Sequence, residues 1–289
     1  MAISTSTASA MTSEQLLQFL IQPLEKRSVV LSSGVRIFDG VDLRVPRQAS
    51  GTALAFTAEN GEIPTADYDY TGEVTLLPST MKSVKVIVPF SNELARSSDL
   101  DIFNALQDRM VTDVAAALDN AMTNGTAANE PKGILAASSA TIAGTAVGSP
   151  TVDDLYDAVG AALAADVDTA GLRWMMHSRD YINLHKVKAD TAGSYLIQPD
   201  PTRSGVQSLL GHPIVVNNRM PTTGGAGNES TIVLADFSQV AVARDLSPTV
   251  TVLRERYAEY DQTALRVTAR YDLGFLNEAA IVRLNGVTP

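Results

Sequence analysis

Apolar and polar residues alternate from Val35 to Val45. Val35, Ile37, Val41, Leu43 and Val45 fall on one side and Arg36, Asp42 and Arg44 on the other, the period of a half-buried strand. A second strand region runs from Glu73 to Pro89, carried by Val74 and Leu76 and then by Val84, Val86 and Val88. Between them lies a polar excursion, residues 48–72, with Glu59, Glu62, Asp67 and Asp69 and no Lys or Arg. A tight hairpin needs only a few residues, so a polar connection this long is expected to be functional or disordered, and an extended acidic hairpin reaching onto another subunit would explain both its length and its charge.

The period then changes to that of a helix. Ser98 and Asp101 make a capping arrangement, and Phe103, Leu106, Met110, Val114, Leu118 and Ala121 recur at three- or four-residue steps up to the stop signal Asn124-Gly125. The pattern predicts a helix over 98–124, about 36 Å long at ~1.5 Å per residue, with Asn104, Asp108, Arg109, Thr112, Asp113 and Asn120 on its wet side. A Gly/Ala/Ser/Thr-rich stretch follows, broken by Glu130-Pro131-Lys132-Gly133-Ile134-Leu135. Thr151 and Asp154 cap a second helix with Leu155, Val159 and Leu163 inward. Arg173 to Met176 reads as a short buried strand, and Ser178 as the cap of a third helix carrying Tyr181, Leu184 and Val187.

Ile214–Val216 and Ile232–Leu234 read as strands around the Gly-rich loop 222–228. Thr249 to Arg270 reads as two alternating strands, with Val250 and Val252 in the first and Leu265, Val267 and Ala269 in the second. Arg254, Arg256, Arg266 and Arg270 are then exposed or interfacial. Strands, a long helix, a helix-strand insertion and strands again make an α+β chain whose first and last parts share a sheet. Ahead of all this, residues 1–12 are almost all Ala, Ser and Thr, as in a mobile arm. Thr12 or Ser13 then caps a short helix (Leu16, Leu17, Leu20, Ile21) that Pro23 ends, and its apolar face docks on the chain's own core or on a neighbour.

Composition narrows the classes. The 289 residues are 45% hydrophobic and 19% charged, enough for a sizeable core and against broad disorder. A net charge of -10 argues against a nucleic-acid groove, which needs concentrated Lys and Arg, though an acidic wall surrounding DNA does not adsorb it. Zero cysteines exclude disulfides and thiolate chemistry. No apolar run spans a bilayer, so no membrane partner is expected, and the N-terminus lacks the basic region of a secretion signal.

Candidate chemistry does not converge. His177, His185 and His212 are not at metal-ligand spacing, and surface or turn roles suit them better. There is no serine-hydrolase elbow and no phosphate loop. Gly224-Gly225-Ala226-Gly227 lacks the strand-turn-helix context of a dinucleotide site. Asp166 and Asp168 with Gly171 lack the later ligands of a calcium loop. Asp153 and Asp154 suit helix capping, and Asn124-Gly125-Thr126 matches a glycosylation acceptor without any sign of secretion. No catalytic residue, cofactor site or metal site is expected, and the chain does not read as an enzyme.

One ordered series of short motifs remains: Glu130-Pro-Lys-Gly-Ile-Leu135, Leu184 to Asp190 with Gly193 to Leu196, Leu210-Gly-His-Pro-Ile-Val215, and Leu234-Ala-Asp-Phe-Ser238. In order and spacing the series resembles the major capsid proteins of tailed bacteriophages, which share the Hong Kong 97 phage-type fold. There the counterparts are Pro-x-Gly-Ile-Leu, Lys-Asp-x-x-Gly-x-Tyr-Leu, Leu-x-Gly-x-Pro-Val and Gly-Asp-Phe-Ser. Here Ala189 separates Lys188 from Asp190, and Ala235 replaces the glycine. The resemblance extends over roughly Val35 to Leu284 and implies the following layout. An N-terminal arm occupies 1–33. The peripheral P-domain covers 34–133, with an extended E-loop at 48–72 and a spine helix at 98–124, and returns at 244–275. The axial A-domain covers 134–243, and 276–289 supply its final strand.

The function so implied is that of a major capsid subunit. Copies would build hexamers and pentamers of an icosahedral head shell around double-stranded DNA, assembled in the bacterial host cytoplasm and residing in the virion. Separate scaffolding, portal and decoration proteins are the further partners, with residues 1–33 too short to act as a built-in scaffold. The E-loop has no lysine for the isopeptide weld of some members, because Lys82 and Lys85 lie in the returning strand, so a non-covalent shell is expected. Glu59, Glu62, Asp67 and Asp69 are the candidate interface acids, and Arg254, Arg256 and Arg270 their basic partners on a neighbour. The competing readings are an encapsulin-like compartment shell holding a protein cargo, a soluble α+β enzyme, and a tail or decoration protein built mostly of strands.

Overall fold

The computed structural model describes residues 28–40, 43–47, 56, 72–76, 83–93, 102–126, 130–137, 140–142, 151–165, 167–187, 208–224 and 227–288. In chain order the elements are α1 (Val29–Ser32), β1 (Arg36–Asp39), β2 (Leu43–Arg47), β3 (Gly72–Leu76), β4 (Ser83–Ser91), α2 (Ile102–Asn124), α3 (Ile134–Ala137), β5 (Ala140–Ile142), α4 (Val152–Ala164), β6 (Leu172–Met176) and α5 (Ser178–Lys186). They continue with β7 (Ser208–Leu209), β8 (His212–Val216), β9 (Ser230–Asp236), β10 (Val240–Leu253), β11 (Gln262–Phe275) and β12 (Ile281–Val287). The N-terminal helix around Leu16, the acids of 48–71, the cap residues Ser98 and Asp101, Asp166 and the stretch 188–207 lie outside the described residues.

Alternation in β11 builds the first sheet. Leu265, Val267 and Ala269 pair with Val88, Val86 and Val84 of β4, and β10 runs antiparallel along the other edge of β11. With β1 parallel to β10, the order is β1-β10-β11-β4, so the first and last parts of the chain share a sheet. Helix α2 covers one face: Met110, Val114, Leu118 and Met122 bury against Leu265, Val267, Ala269 and Tyr271. The two-stranded β2–β3 ribbon covers the other, where Leu76 packs with Ala241 and Ala243. A side chain at Gly274 would strike Leu76 Cδ2 at 2.6 Å, so glycine lets the ribbon sit directly on β11.

The second sheet has the order β5-β12-β9-β6-β8-β7. Trp174, Met176, Ile232, Leu234, Val282 and Leu284 face α4 and α5, meeting Leu155, Ala158, Ala162 and Leu184. The alternate residues Met175, Val233, Ala235 and Ile281 point the other way and join the core under α2. Strand periodicity therefore welds the two sheets into one interior. The chain passes between the sheets three times: from β4 through α2 and α3 to β5, through the turn Phe237–Gln239, and through Leu276 to Ala280. Leu276 N donates to Gln239 O at 2.9 Å and ties the two short passages together.

Several expectations are corrected. Val35–Val45 is two strands in two sheets. Arg36–Asp39 pair with Ala241–Arg244, and after Gly40 residues 43–47 pair with 72–76. Glu73–Pro89 divides likewise into β3 and β4. The cap of α5 is His177, whose Nδ1 accepts from Arg179 N at 3.0 Å, while Ser178 is the first helical residue. The capping box of α4 is as expected, with Thr151 and Asp154 bonded reciprocally.

Candidate subunit-contact surfaces

Three of the four motifs in the sequence series have a local structural cause, and most of the other, 188–190 with 193–196, lies outside the described residues. Gly125 ends α2 where the chain folds back. A side chain there would overlap the carbonyl of Pro131, and Gly133 N donates to Gly125 O at 2.9 Å, so Pro131-Lys132-Gly133 lies flat on the helix end. Leu210 and Gly211 both have positive φ, 51° and 83°, making the tight turn that pairs Leu209 with His212. Asp236 accepts from Ser238 N and Ser238 Oγ, each at 2.9 Å, and so shapes the first short passage between sheets. These residues build turns.

The histidines do the same. His177 is a cap, His185 stacks edge-on against Tyr181 at 4.5 Å, and His212 opens β8. Among the described residues no three His, Asp or Glu side chains gather as a metal set. A cavity of about 280 Å³ lies between Val84, Ala121, Pro131 and Tyr271, and its one carboxylate, Glu130, accepts from Thr126 N at 3.4 Å. No described helix is long and apolar enough to cross a membrane.

Arg254 and Arg256 are exposed at the tip of the β10–β11 hairpin, where Arg256 lies over the Tyr257 ring at 5.7 Å and Tyr260 is 72% exposed. Asp261 turns the chain with a left-handed φ of 48°. Asn92, at the end of β4, clasps the tip by donating to Asp261 Oδ1 at 2.8 Å and accepting from Thr263 Oγ1 at 2.6 Å. Arg270 is elsewhere, eight strand positions behind Gln262 and so about 27 Å along β11. It pairs with Asp245 of its own chain at 3.1 Å, and that carboxylate is only 6% exposed. The structure therefore brings Arg254 and Arg256 together and separates Arg270 from them. Glu59, Glu62, Asp67 and Asp69 lie outside the described residues.

Two contacts escaped the sequence reading. Asp119, on the buried side of α2, accepts from Ser28 Oγ at 2.6 Å, Val29 N at 3.0 Å and Val30 N at 3.1 Å. This fixes α1 against the C-terminal third of the long helix. An acid beside Ala115 and Met122 in an apolar stripe was the available signal. Arg244 grips Asp39 with Nε at 2.6 Å and Nη2 at 2.8 Å, and this hydrogen bond holds the Asp39 carboxyl below the usual carboxylate range.

Two sheets on one core, a long helix over one of them and a strand ribbon rooting a long excursion define an architecture for presenting surfaces. Solved structures share it. A GTA-particle capsid computed with C5 symmetry is 17% identical, covers 90% of each chain and has a TM-score of 0.72. Proteins of Microbacterium phage Oxtober96 (20% identity, TM-score 0.70, 100% of both chains) and Mycobacterium phage Cain (19%, 0.69, 100% of this chain and 99% of that one) are also similar. No curated protein matches the sequence. The model of the phage capsid family matches residues 9–286, and the chain belongs to that family. It is a structural protein of the virion, a subunit of the major capsid shell.

Proposed function

We propose that copies of this chain close by head-to-tail contacts into hexamers and pentamers, and then into an icosahedral, non-covalently held shell around double-stranded DNA. The observation that carries this reading is the family match over 9–286, joined by the likeness to a capsid computed with C5 symmetry. The acidic net charge of -10 supports enclosure of DNA without sequence-specific binding. We read the chain as having no catalytic role, with assembly in the bacterial host cytoplasm alongside separate scaffolding, portal and decoration proteins.

In the same reading the arm is 1–33, the P-domain 34–133 and 244–275, and the A-domain 134–243 and 276–289. The membership of the two sheets supports that division apart from 240–243, which begin β10 of the first sheet. The acids Glu59, Glu62, Asp67 and Asp69 reach basic side chains of a neighbour. Arg254 and Arg256, exposed together, suit this role better than Arg270, which already has Asp245. Exposed pairs contribute only about 0–1 kcal/mol each, so their effect comes from repetition around the shell.

The experiment is negative-stain microscopy and denaturing electrophoresis of the expressed protein, with Asp67→Lys/Asp69→Lys beside the wild type. Closed shells or rings that dissolve to a single monomer band are expected, and the charge reversal should lower their salt resistance. A covalent ladder would refute the non-covalent shell. Unchanged assembly and salt resistance in the reversed variant would refute the acid–arginine contact.

A further inference from the structure

Helix α4 turns Leu155, Ala158 and Ala162 onto the second sheet, all of them fully buried. Its opposite ridge is exposed and apolar where a surface helix is usually polar: Tyr156 is 59% exposed and Leu163 53%. Between them stands Gly160, also exposed. Glycine is the poorest helix former after proline, and its usual excuse is close packing. Here a side chain would meet nothing within 4 Å, so nothing in the described part of the chain requires the glycine. At steps of four and three residues, Tyr156, Gly160 and Leu163 form a notch between two apolar knobs, flanked by the exposed acids Asp153 and Asp157.

Helix α5 carries the complement. Ile182 is 48% exposed, with the exposed Lys186 one turn beyond it. Arg179, one turn before, is held by Asn228 at 3.0 Å, which leaves Lys186 as the cation of that ridge. We propose that the Tyr156–Gly160–Leu163 notch receives Ile182 of a second copy of this chain, with Lys186 of that copy set against Asp153 and Asp157. This deepens the shell reading and rests on it.

The placement of the two helices permits a ring. Helix α4 packs over β12 and β5, at one end of the six-stranded order, whereas α5 is the crossover joining the parallel neighbours β6 and β8, near the other. Both contribute to the same apolar cluster, so both lie on one face of the sheet, about 14 Å apart at ~4.8 Å per strand. A notch at one end and a knob at the other make a heterologous contact, which repeats from copy to copy until the ring closes. Face to face across a two-fold axis, each notch would take the other copy's knob and the pair would stop at a dimer, so the length of a cross-linked ladder separates the two.

The absence of cysteine makes the test specific. Particles assembled from a Gly160→Cys/Ile182→Cys variant are oxidised and run without reductant. A ladder extending past the dimer to five or six subunits, abolished by reduction, is the expected result, and a ladder that ends at the dimer overturns the ring contact. No cross-link in assembled particles overturns the contact, as does a dimer from Gly160→Cys alone, which would mean that two α4 faces meet. Gly160→Leu gives a second readout. It favours the helix and meets no atom within 4 Å, so the subunit should melt no lower than the wild type while particle yield falls at least tenfold. Wild-type yield from this variant overturns the proposal. A wild-type chain that never sediments faster than a monomer refutes the shell reading itself, so the two failures are distinguishable.

Discussion

Replacing Asp119 by alanine removes the acceptor for three donors at once: Ser28 Oγ, Val29 N and Val30 N, at 2.6, 3.0 and 3.1 Å. Ser28 is fully buried and Asp119 is 5% exposed, so water does not readily replace the carboxylate. Hydrogen bonds to a charged acceptor contribute about 1.5–3 kcal/mol each, but three on one carboxylate are not additive, and removing a buried charge recovers part of its desolvation cost. The net loss is about 3 kcal/mol, directed at α1. Because proteins open locally before they unfold globally, the first readout is amide hydrogen exchange at Val29, Val30 and Leu31, whose protection should fall about a hundredfold. Asp119→Asn keeps one acceptor oxygen and should lose about half as much. Ser28→Ala added to Asp119→Ala should cost little more, since its partner is already gone. Unchanged protection in Asp119→Ala, or strictly additive losses in the double variant, would show that the carboxylate does not hold α1.

Two further outcomes follow from the geometry. Gly125→Ala drives a methyl group into the Pro131 carbonyl and should destabilise by more than about 2 kcal/mol, whereas Gly160→Ala, with open space, should stabilise the subunit by about 0.5–1 kcal/mol; paired thermal melts measure both, and equal shifts would refute the packing argument. The Asp39 carboxyl is held below its unfolded value by Arg244, so its contribution is present above about pH 4 and disappears as pH falls through the lower folded value. Asp39 is 67% exposed, which limits the effect to about 0.5 kcal/mol, and Asp39→Asn should flatten that part of the pH–stability curve; an unchanged curve would count against the pair.

How far the sequence could be read depended on whether a local pattern owned its cause. The helix stripe Met110–Leu118, the capping box at Thr151 and the alternation of Leu265, Val267 and Ala269 appear in the fold as read, because burial on one face imposes the period directly. The break at Gly40 was invisible because alternation continues through it, and only long-range pairing with 241–244 and 72–76 distinguishes two strands from one. His177 takes the capping role through an extended backbone, φ −73° and ψ 150°, that residue type did not announce. Arg270 read as outward, but register shifts between Arg244 and Thr249 interrupt the pleat of β10, and Asp245 meets it there. On the contact surfaces, the exposed Arg254 and Arg256 were legible, whereas the Gly160 notch needed the three-dimensional fact that nothing surrounds it.

The three passages between the sheets have a mechanical consequence. A single connecting strand would let one sheet swivel in any direction against the other. Two short connections side by side, bridged by Leu276 N and Gln239 O at 2.9 Å, together with the third through α2, oppose that swivel. Movement between the sheets is loaded as well, because Met175, Ala235 and Ile281 would have to separate from the core they share with α2. The two sheets of the described residues are therefore expected to move as one stiff body. A change of curvature across a shell would then have to be taken up at the joints between copies and not between the two sheets.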